Sequence, residues 1–315
     1  MQFEVLSDAG GLEEEWWDLW RRDEAATPFQ SPAWLLPWRR SFSGGDTQIL
    51  TLRDGGRLAA VLPLFRHEER LLPWGAGTTD RLDGAFAPDL DIAAVSQGLA
   101  RLASPVDLFQ LPAGSPLLRM PVPDGWSART GFAESCAVLS LPASFSSRVA
   151  QNLRYYRRRA ERAGAGLPRR GTPDDFEALA ELHTRRWRER GEPGIFADPR
   201  MVAWQRQALP QLEAAGLLQL HVIELDARVV AALCVLCAKR RAYYFIGGFD
   251  PDHAALGLGT ILVGHAVAEA ERLGMTSFDF LRGQEPYKYR WGAQDQPTHA
   301  RQFLPPHQGH GQGRG

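Results

Sequence analysis

Asp279, Glu285, Tyr287 and Lys288 fall within ten residues of one another in TSFDFLRGQEPYKYRWG, with Arg282 and Arg290 interleaved among them. Such a set offers a base for an incoming amine or hydroxyl, a proton donor for a leaving group, and cations for an oxyanion or a phosphate. Asp279 or Glu285 would accept the proton, Tyr287 would give one back, and Lys288 with Arg282 would neutralise charge. Lys288 is one of only two lysines in 315 residues, against 34 arginines. That imbalance is what a GC-rich coding sequence produces, although arginine also suits planar, bidentate anion contacts.

Upstream, Gly257-Leu258-Gly259-Thr260 opens the amphipathic stretch ILVGHAVAEAERLG. A glycine-flanked helix start presents free backbone N–H groups and the positive end of the helix dipole, and Thr260 adds a hydroxyl. This is a predicted phosphate or pyrophosphate site, and it points to a nucleotide-type cosubstrate such as coenzyme A.

These residues must be positioned by strands and helices, and the clearest organising signal is an internal repeat. Residues 47–77 lie over residues 219–249 at a constant offset of 172, matching Asp54 with Asp226, Leu64 with Leu236 and Gly75 with Gly247. Each copy reads as three strands joined by short turns, which predicts antiparallel pairing. The chain is therefore expected to be α/β (α+β), with two related mixed, mainly antiparallel sheets flanked by helices. Predicted domains are 1–130 and 131–304, followed by a disordered tail (305–315) containing His307 and His310. Where the second copy has its Gly-x-Gly, the first has TTDRLDGAFAPDL. Asp80, Asp83, Asp89 and Asp91 there would repel a pyrophosphate, so only the second copy should bind the cosubstrate.

Helices are predicted in GLEEEWWDLWRRD, SPAWLLPWRRSF, 92–103, 173–190 and 198–215, with strands at 106–111 and 277–281. SFSSRVAQNLRYYRRRAERAG reads as a helix with Val149, Leu153, Tyr156, Ala160 and Ala163 on one face. Arg148, Arg154, Arg157, Arg158, Arg159 and Arg162 cover much of the rest, a cationic surface that could meet an anion.

The formal net charge of −1 supplies no global attraction to nucleic acid or anionic membrane. Apolar runs fall short of the ~20 residues of a membrane span, and three cysteines cannot build a disulfide framework, so the chain reads as cytoplasmic. Cys234 and Cys237, three apart in a strand, point to opposite faces and read as core thiols; no metal site is expected.

On these motifs the chain resembles the branch of the GNAT superfamily that includes CelD-like (cellulose biosynthesis) acetyltransferases, related to the FemAB/FemX peptidoglycan aminoacyltransferases. The resemblance rests on SFSSRVAQNLRYYRRRAER, LHTRRWRERGEPGIF, GLGTILVGHAVAEAERLG and FDFLRGQEPYKYRWG, with PFQSPAWLLPWRRSF in the first half, and spans about residues 3–304. It implies a tandem of two GNAT-like folds with acyl-CoA, acetyl-CoA first among the candidates, bound to the second. The family's phosphate-binding turn maps onto Gly257, Gly259 and Thr260, with Leu258 between them, and the Lys of the Fem-type Tyr-Lys motif maps onto Lys288. Two positions depart from the pattern: Ala254 stands where the common turn has Gln or Arg, and no GNAT-type catalytic Glu stands out. Arg282, Arg290, Trp187 and Arg154 are the candidate acceptor contacts, and His183 is a reserve base.

The expected function is transfer of an acyl group from acyl-CoA to an amine or hydroxyl of a sugar, polysaccharide or small molecule. The alternatives are a Fem-like aminoacyltransferase using aminoacyl-tRNA and a cell-wall precursor, the one reading with a nucleic-acid partner, and a non-catalytic binding protein of the same fold.

Overall fold

The computed structural model describes residues 1–42 and 44–306; the tail that carries His307 and His310 lies outside them. In chain order the elements begin β1 (Gln2–Leu6), α1 (Glu13–Arg22), α2 (Pro32–Ser41), β2 (Thr47–Asp54), β3 (Arg57–His67), β4 (Arg70–Pro73) and β5 (Ala85–Phe86). Next are α3 (Ile92–Ala100), β6 (Val106–Pro112), α4 (Pro116–Arg119), β7 (Ser127–Ser140), α5 (Ser147–Arg162) and β8 (Arg169–Arg170). The chain continues with α6 (Phe176–Arg188), α7 (Pro199–Ala214), β9 (Leu218–Leu225), β10 (Arg228–Ala238) and β11 (Arg241–Phe249). It closes with α8 (Leu258–Arg272), β12 (Ser277–Arg282), α9 (Pro286–Arg290) and β13 (Gln294–Leu304). No helix among the described residues is long and apolar enough to cross a membrane.

The chain divides into two compact units. Among the described residues, the first holds 1–26, 44–134 and 297–306; the second holds 27–42 and 135–296. In the first unit the strands run β1-β2-β3-β4-β6. All these pairs are antiparallel except β4 with β6, which meet in parallel where Leu71 faces Val106. β13 pairs antiparallel with β6, and α3 covers a core of Leu50, Leu62, Val95, Leu99 and Phe303.

The second unit repeats this plan: β8, β9, β10 and β11 are antiparallel, and β12 joins β11 in parallel. The repeat is thus present in three dimensions. Once the offset of 172 is applied, β2, β3, β4 and β6 begin within one residue of β9, β10, β11 and β12, and α3 ends where α8 ends. The two helices differ at their starts: α8 has 15 residues and α3 has 9. The first copy lacks the opening turns, and the carboxylate of Asp91 already accepts the Ala93 N–H at the start of its helix.

Two layers of helices sandwich the second sheet. On one side α8 and α5 pack on alternate residues of β10, namely Ala231, Leu233, Val235 and Cys237. On the other side α6 and α7 are joined by residues 27–42, the Trp-rich segment of the first half of the sequence. Trp34 meets Trp204 with ring centroids 4.5 Å apart and Phe245 at 5.0 Å, and Phe29 meets Tyr243 at 5.4 Å. Cys234 and Cys237 are buried and free, and burial pushes the Cys237 thiol up to about 12. Two strands, β7 and β13, lie where the sequence pattern predicts none: β13 contains Pro297 and few apolar residues, and the first half of β7 is polar.

Candidate functional site

β10 is apolar along nearly its whole length, as a central strand buried on both faces must be. β11 follows it antiparallel, with an irregularity that leaves Phe245 as an extra residue between Tyr244 and Ile246. β12 pairs with β11 only at Ser277–Asp279, opposite Arg241–Tyr243. Beyond that point β12 is bent away by Leu281, whose φ is +60°, and the two strands part. Backbone groups of residues 244–249 on this edge are left without a β12 partner. The gap opens a cleft of about 350 Å³ that groups from both helical layers reach.

α8 contributes its start to the cleft. Gly257 adopts left-handed backbone (φ +67°), and a Cβ there would run into the Tyr156 ring of α5, so this turn requires glycine. No side chain caps the helix, and Thr260 and Ile261 donate their N–H groups to the Gly257 carbonyl. Gly259 and Thr260 line the cleft. Gly248 acts differently. A Cβ there would strike the backbone of α6 at Leu182 and His183, so its absence lets α6 lie against β11.

Two phenols stand at the parting of the strands. Tyr244 and Tyr287 both line the cleft and are hydrogen-bonded to each other. Burial is the main cause that pushes both phenols above the usual tyrosine value, so both hydroxyls keep their protons at neutral pH. Arg186 and Arg190 enter from the end of α6, Arg290 from α9, and Asn152 and Tyr156 from α5. No carboxylate lines the cleft.

The structure thus brings together Gly259, Thr260, Tyr287 and Arg290 of the residues singled out from sequence. The others lie around them. Gly257 and Leu258 form the turn and first residue of α8, with Leu258 buried under the helix. Asp279 is buried and accepts the Leu281 N–H at 2.8 Å, pinning the bend in β12. Lys288 is 3% exposed, and its ammonium donates to the carbonyls of Leu281 (3.4 Å), Arg282 and Gly283 (3.1 Å) while pairing with Glu285 at 2.9 Å. These contacts clamp the loop that carries Tyr287. Arg282 donates no side chain to the cleft; Trp187 packs on His183 and under Arg190. Arg154 is exposed on α5. His183 is buried with an unpartnered Nδ1, and burial, reinforced by Arg186, holds its imidazole down at about 4.

Tyr244, Arg186, Arg190, Asn152 and Tyr156 were missed. Tyr244 had a signal: next to Tyr243, which meets Phe29, strand alternation turns it to the opposite face, three residues before a Gly-Gly pair. The arginines had none, being lost among 34.

Residues 147–289 match the family model of the acetyltransferase (GNAT) domain. That stretch includes every cleft residue except Arg290 and Trp291. A comparison with curated protein sequences finds no match. Among solved structures the chain is similar to a crystal structure of FemX, with 11% identity and a TM-score of 0.67 over 95% of this chain and 97% of that one. L-PGS from Bacillus licheniformis gives 12% identity and 0.65, covering 93% and 92%. The C-terminal domain of a putative lysylphosphatidylglycerol synthetase from Agrobacterium fabrum gives 13% and 0.60, again covering 93% and 92%. At these identities the likeness is one of fold, and it extends over nearly the whole chain. Among the described residues no group of three or more His, Cys, Asp or Glu could hold a metal ion.

Proposed function

We propose that the second unit transfers an acyl group from acyl-CoA, acetyl-CoA in the simplest case, to an amine or hydroxyl of a sugar, polysaccharide or small molecule. The observation that carries this reading is the cleft itself: parted strands, an uncapped α8 start and a pair of protonated phenols, inside the GNAT-domain stretch. The residues fit the donor. The N–H groups at Leu258 and Gly259, with the Thr260 hydroxyl, suit its pyrophosphate, and the edge of β11 from 244 to 249 offers backbone partners to its amides. When bound, the donor supplies a thioester carbonyl and a leaving thiolate. Tyr287, hydrogen-bonded to Tyr244, gives its proton to that sulfur as the C–S bond breaks and takes one back from the attacking nitrogen or oxygen, so that the phenol is restored. The edge of β11 holds the carbonyl for attack. With no carboxylate in the cleft, the incoming amine must arrive deprotonated, and alignment against the thioester does the rest. Asp279, Glu285 and Lys288 then act by fixing the bend of β12 and the loop that carries Tyr287. Three buried free thiols fit the reducing compartment expected from the sequence.

Calorimetric titration of the whole chain with acetyl-CoA, CoA and longer acyl-CoAs tests the reading. Binding of at least one supports it, and binding of none removes it.

A second reading is supported by α5. Its six arginines make no ion pair with a carboxylate among the described residues, and Arg158 and Arg159 bond only to the Arg154 carbonyl and the Tyr155 hydroxyl. Such a face suits the phosphates of an aminoacyl-tRNA donor. A mobility-shift titration with tRNA separates the readings: tight, steeply salt-dependent binding favours the aminoacyltransferase, and its absence favours acyl-CoA.

A further inference from the structure

The turn that leads into α8 has an electrostatic deficit. From Phe249 to Gly257 it reads FDPDHAALG, with two aspartates and no arginine or lysine. A pyrophosphate approaching it would meet Asp250 and Asp252 first, and two carboxylates repel a polyanion. The structure answers the repulsion but not the deficit. Arg185 spans both aspartates, at 3.0 Å from Asp250 Oδ1 and 3.0 Å from Asp252 Oδ2, and is fully engaged in neutralising them.

The next residue along α6 does something else. Arg186 lays its guanidinium over the Phe249 ring, 4.7 Å from the centroid. That ring also lies against α8, since a Cβ on Gly259 would sit 3.3 Å from Phe249 Cδ1. Arg186 and the open start of α8 therefore share one aromatic ring and one cleft. The Arg186 Nε is buried without a partner. Arg190, in the turn just past the end of α6, lines the same cleft, as does Arg290 from α9. Among the described residues none of the three arginines makes an ion pair, and no carboxylate lines the cleft. Three like charges round one opening repel each other until an anion joins them.

Taking the acyl-CoA reading as its basis, we infer that Arg186 and Arg190 are the cationic contacts for the donor's phosphates, supplied by α6 because the turn before α8 has none. Neighbouring arginines then act in different ways. Arg185 cancels the aspartates of the turn, and Arg186 binds the phosphate. A guanidinium stacked on a ring is held in plane, which leaves its N–H edge free for the bidentate contacts that phosphates favour.

The test is calorimetry on the full chain, titrated with CoA and with pantetheine, which lacks the phosphates. Proteins are the wild type, Arg186→Gln, Arg190→Gln and Arg186→Lys, each checked for an unchanged melting temperature. Loss of a charge-assisted phosphate contact predicts that CoA binds about 10- to 100-fold more weakly to Arg186→Gln. Arg190→Gln should show a smaller loss, Arg186→Lys, which keeps the charge but not the planar fork, should recover only part of the affinity, and pantetheine should bind all four alike. CoA affinity within twofold of wild type in both Gln variants overturns the inference while leaving the acyl-CoA reading intact. So does an equal loss for pantetheine. Binding of CoA by no form, wild type included, removes the acyl-CoA reading and the inference together.

Discussion

Replacing Lys288 with methionine separates a positioning role from a chemical one. The ammonium is 3% exposed and donates to three carbonyls, those of Leu281, Arg282 and Gly283. Leu281 and Gly283 both carry left-handed backbone, at φ +60° and +99°. Methionine keeps the apolar stem and removes the donor. Hydrogen bonds from a charged group contribute roughly 1.5–3 kcal/mol, and carbonyls left half-buried recover part of that from water. The exposed Glu285 partner adds little, because a pair with one side in solvent is worth under about 1 kcal/mol. The net expectation is a loss of about 2 kcal/mol, or roughly 3 °C in Tm for a protein of this size. Lys288 does not line the cleft, so CoA affinity should stay within about threefold. Thermal unfolding and calorimetry on the same preparation measure both quantities. An unchanged Tm with abolished turnover would refute this reasoning and return Lys288 to the chemistry.

Other expectations follow from the same geometry. Tyr287→Phe should lower kcat by about 100-fold or more with donor affinity preserved, as loss of a proton donor does; steady-state kinetics against direct binding checks it, and an unchanged kcat removes Tyr287 from the reaction. Gly259→Glu puts a carboxylate at the phosphate end of the cleft and should weaken CoA binding by more than about 100-fold. Unchanged affinity would show that the pyrophosphate sits elsewhere. His183 and His221 are both held at about 4 by burial, against an ordinary 6.5. The unfolded chain takes up these protons below pH 6.5 and the folded chain only near 4. Between 6.5 and 4 each histidine therefore removes about 3 kcal/mol as pH falls. Buried Asp83, raised to about 7, adds stability as pH falls through the same window and offsets part of that loss. Denaturant titrations of wild type and His221→Gln across that range isolate one histidine: the variant should lose about 3 kcal/mol less than wild type between 6.5 and 4, and parallel curves would refute it.

Much of the fold was legible because it is local. Strands β2 to β4 and β9 to β11 follow from alternation and turn residues, and the offset of 172 carries their equivalence into the structure. The difference between α3 and α8 was legible only as a run of aspartates; in the first copy Ala85–Phe86 pair with β3 as β5, and the residue before Pro88 is held extended, so the helix starts later. Residues 27–42 join the second unit through Phe29 and Trp34, contacts across about 200 residues that no periodicity encodes. Lys288 shows the limit most sharply. Its rarity drew attention to it, but rarity says nothing of direction, and only the folded loop turns the ammonium onto its own backbone. Arg186 is the converse case, one arginine among many that becomes distinctive once Arg185 is seen to be occupied.

Everything proposed for the chemistry depends on one cleft, in the second unit, taking an acyl-CoA donor. Calorimetry with acetyl-CoA measures affinity and stoichiometry together. The expected result is about one equivalent per chain, lost in Gly259→Glu, since the first copy's helix lacks the turns that would hold a phosphate. No heat of binding, or two equivalents per chain, would contradict it.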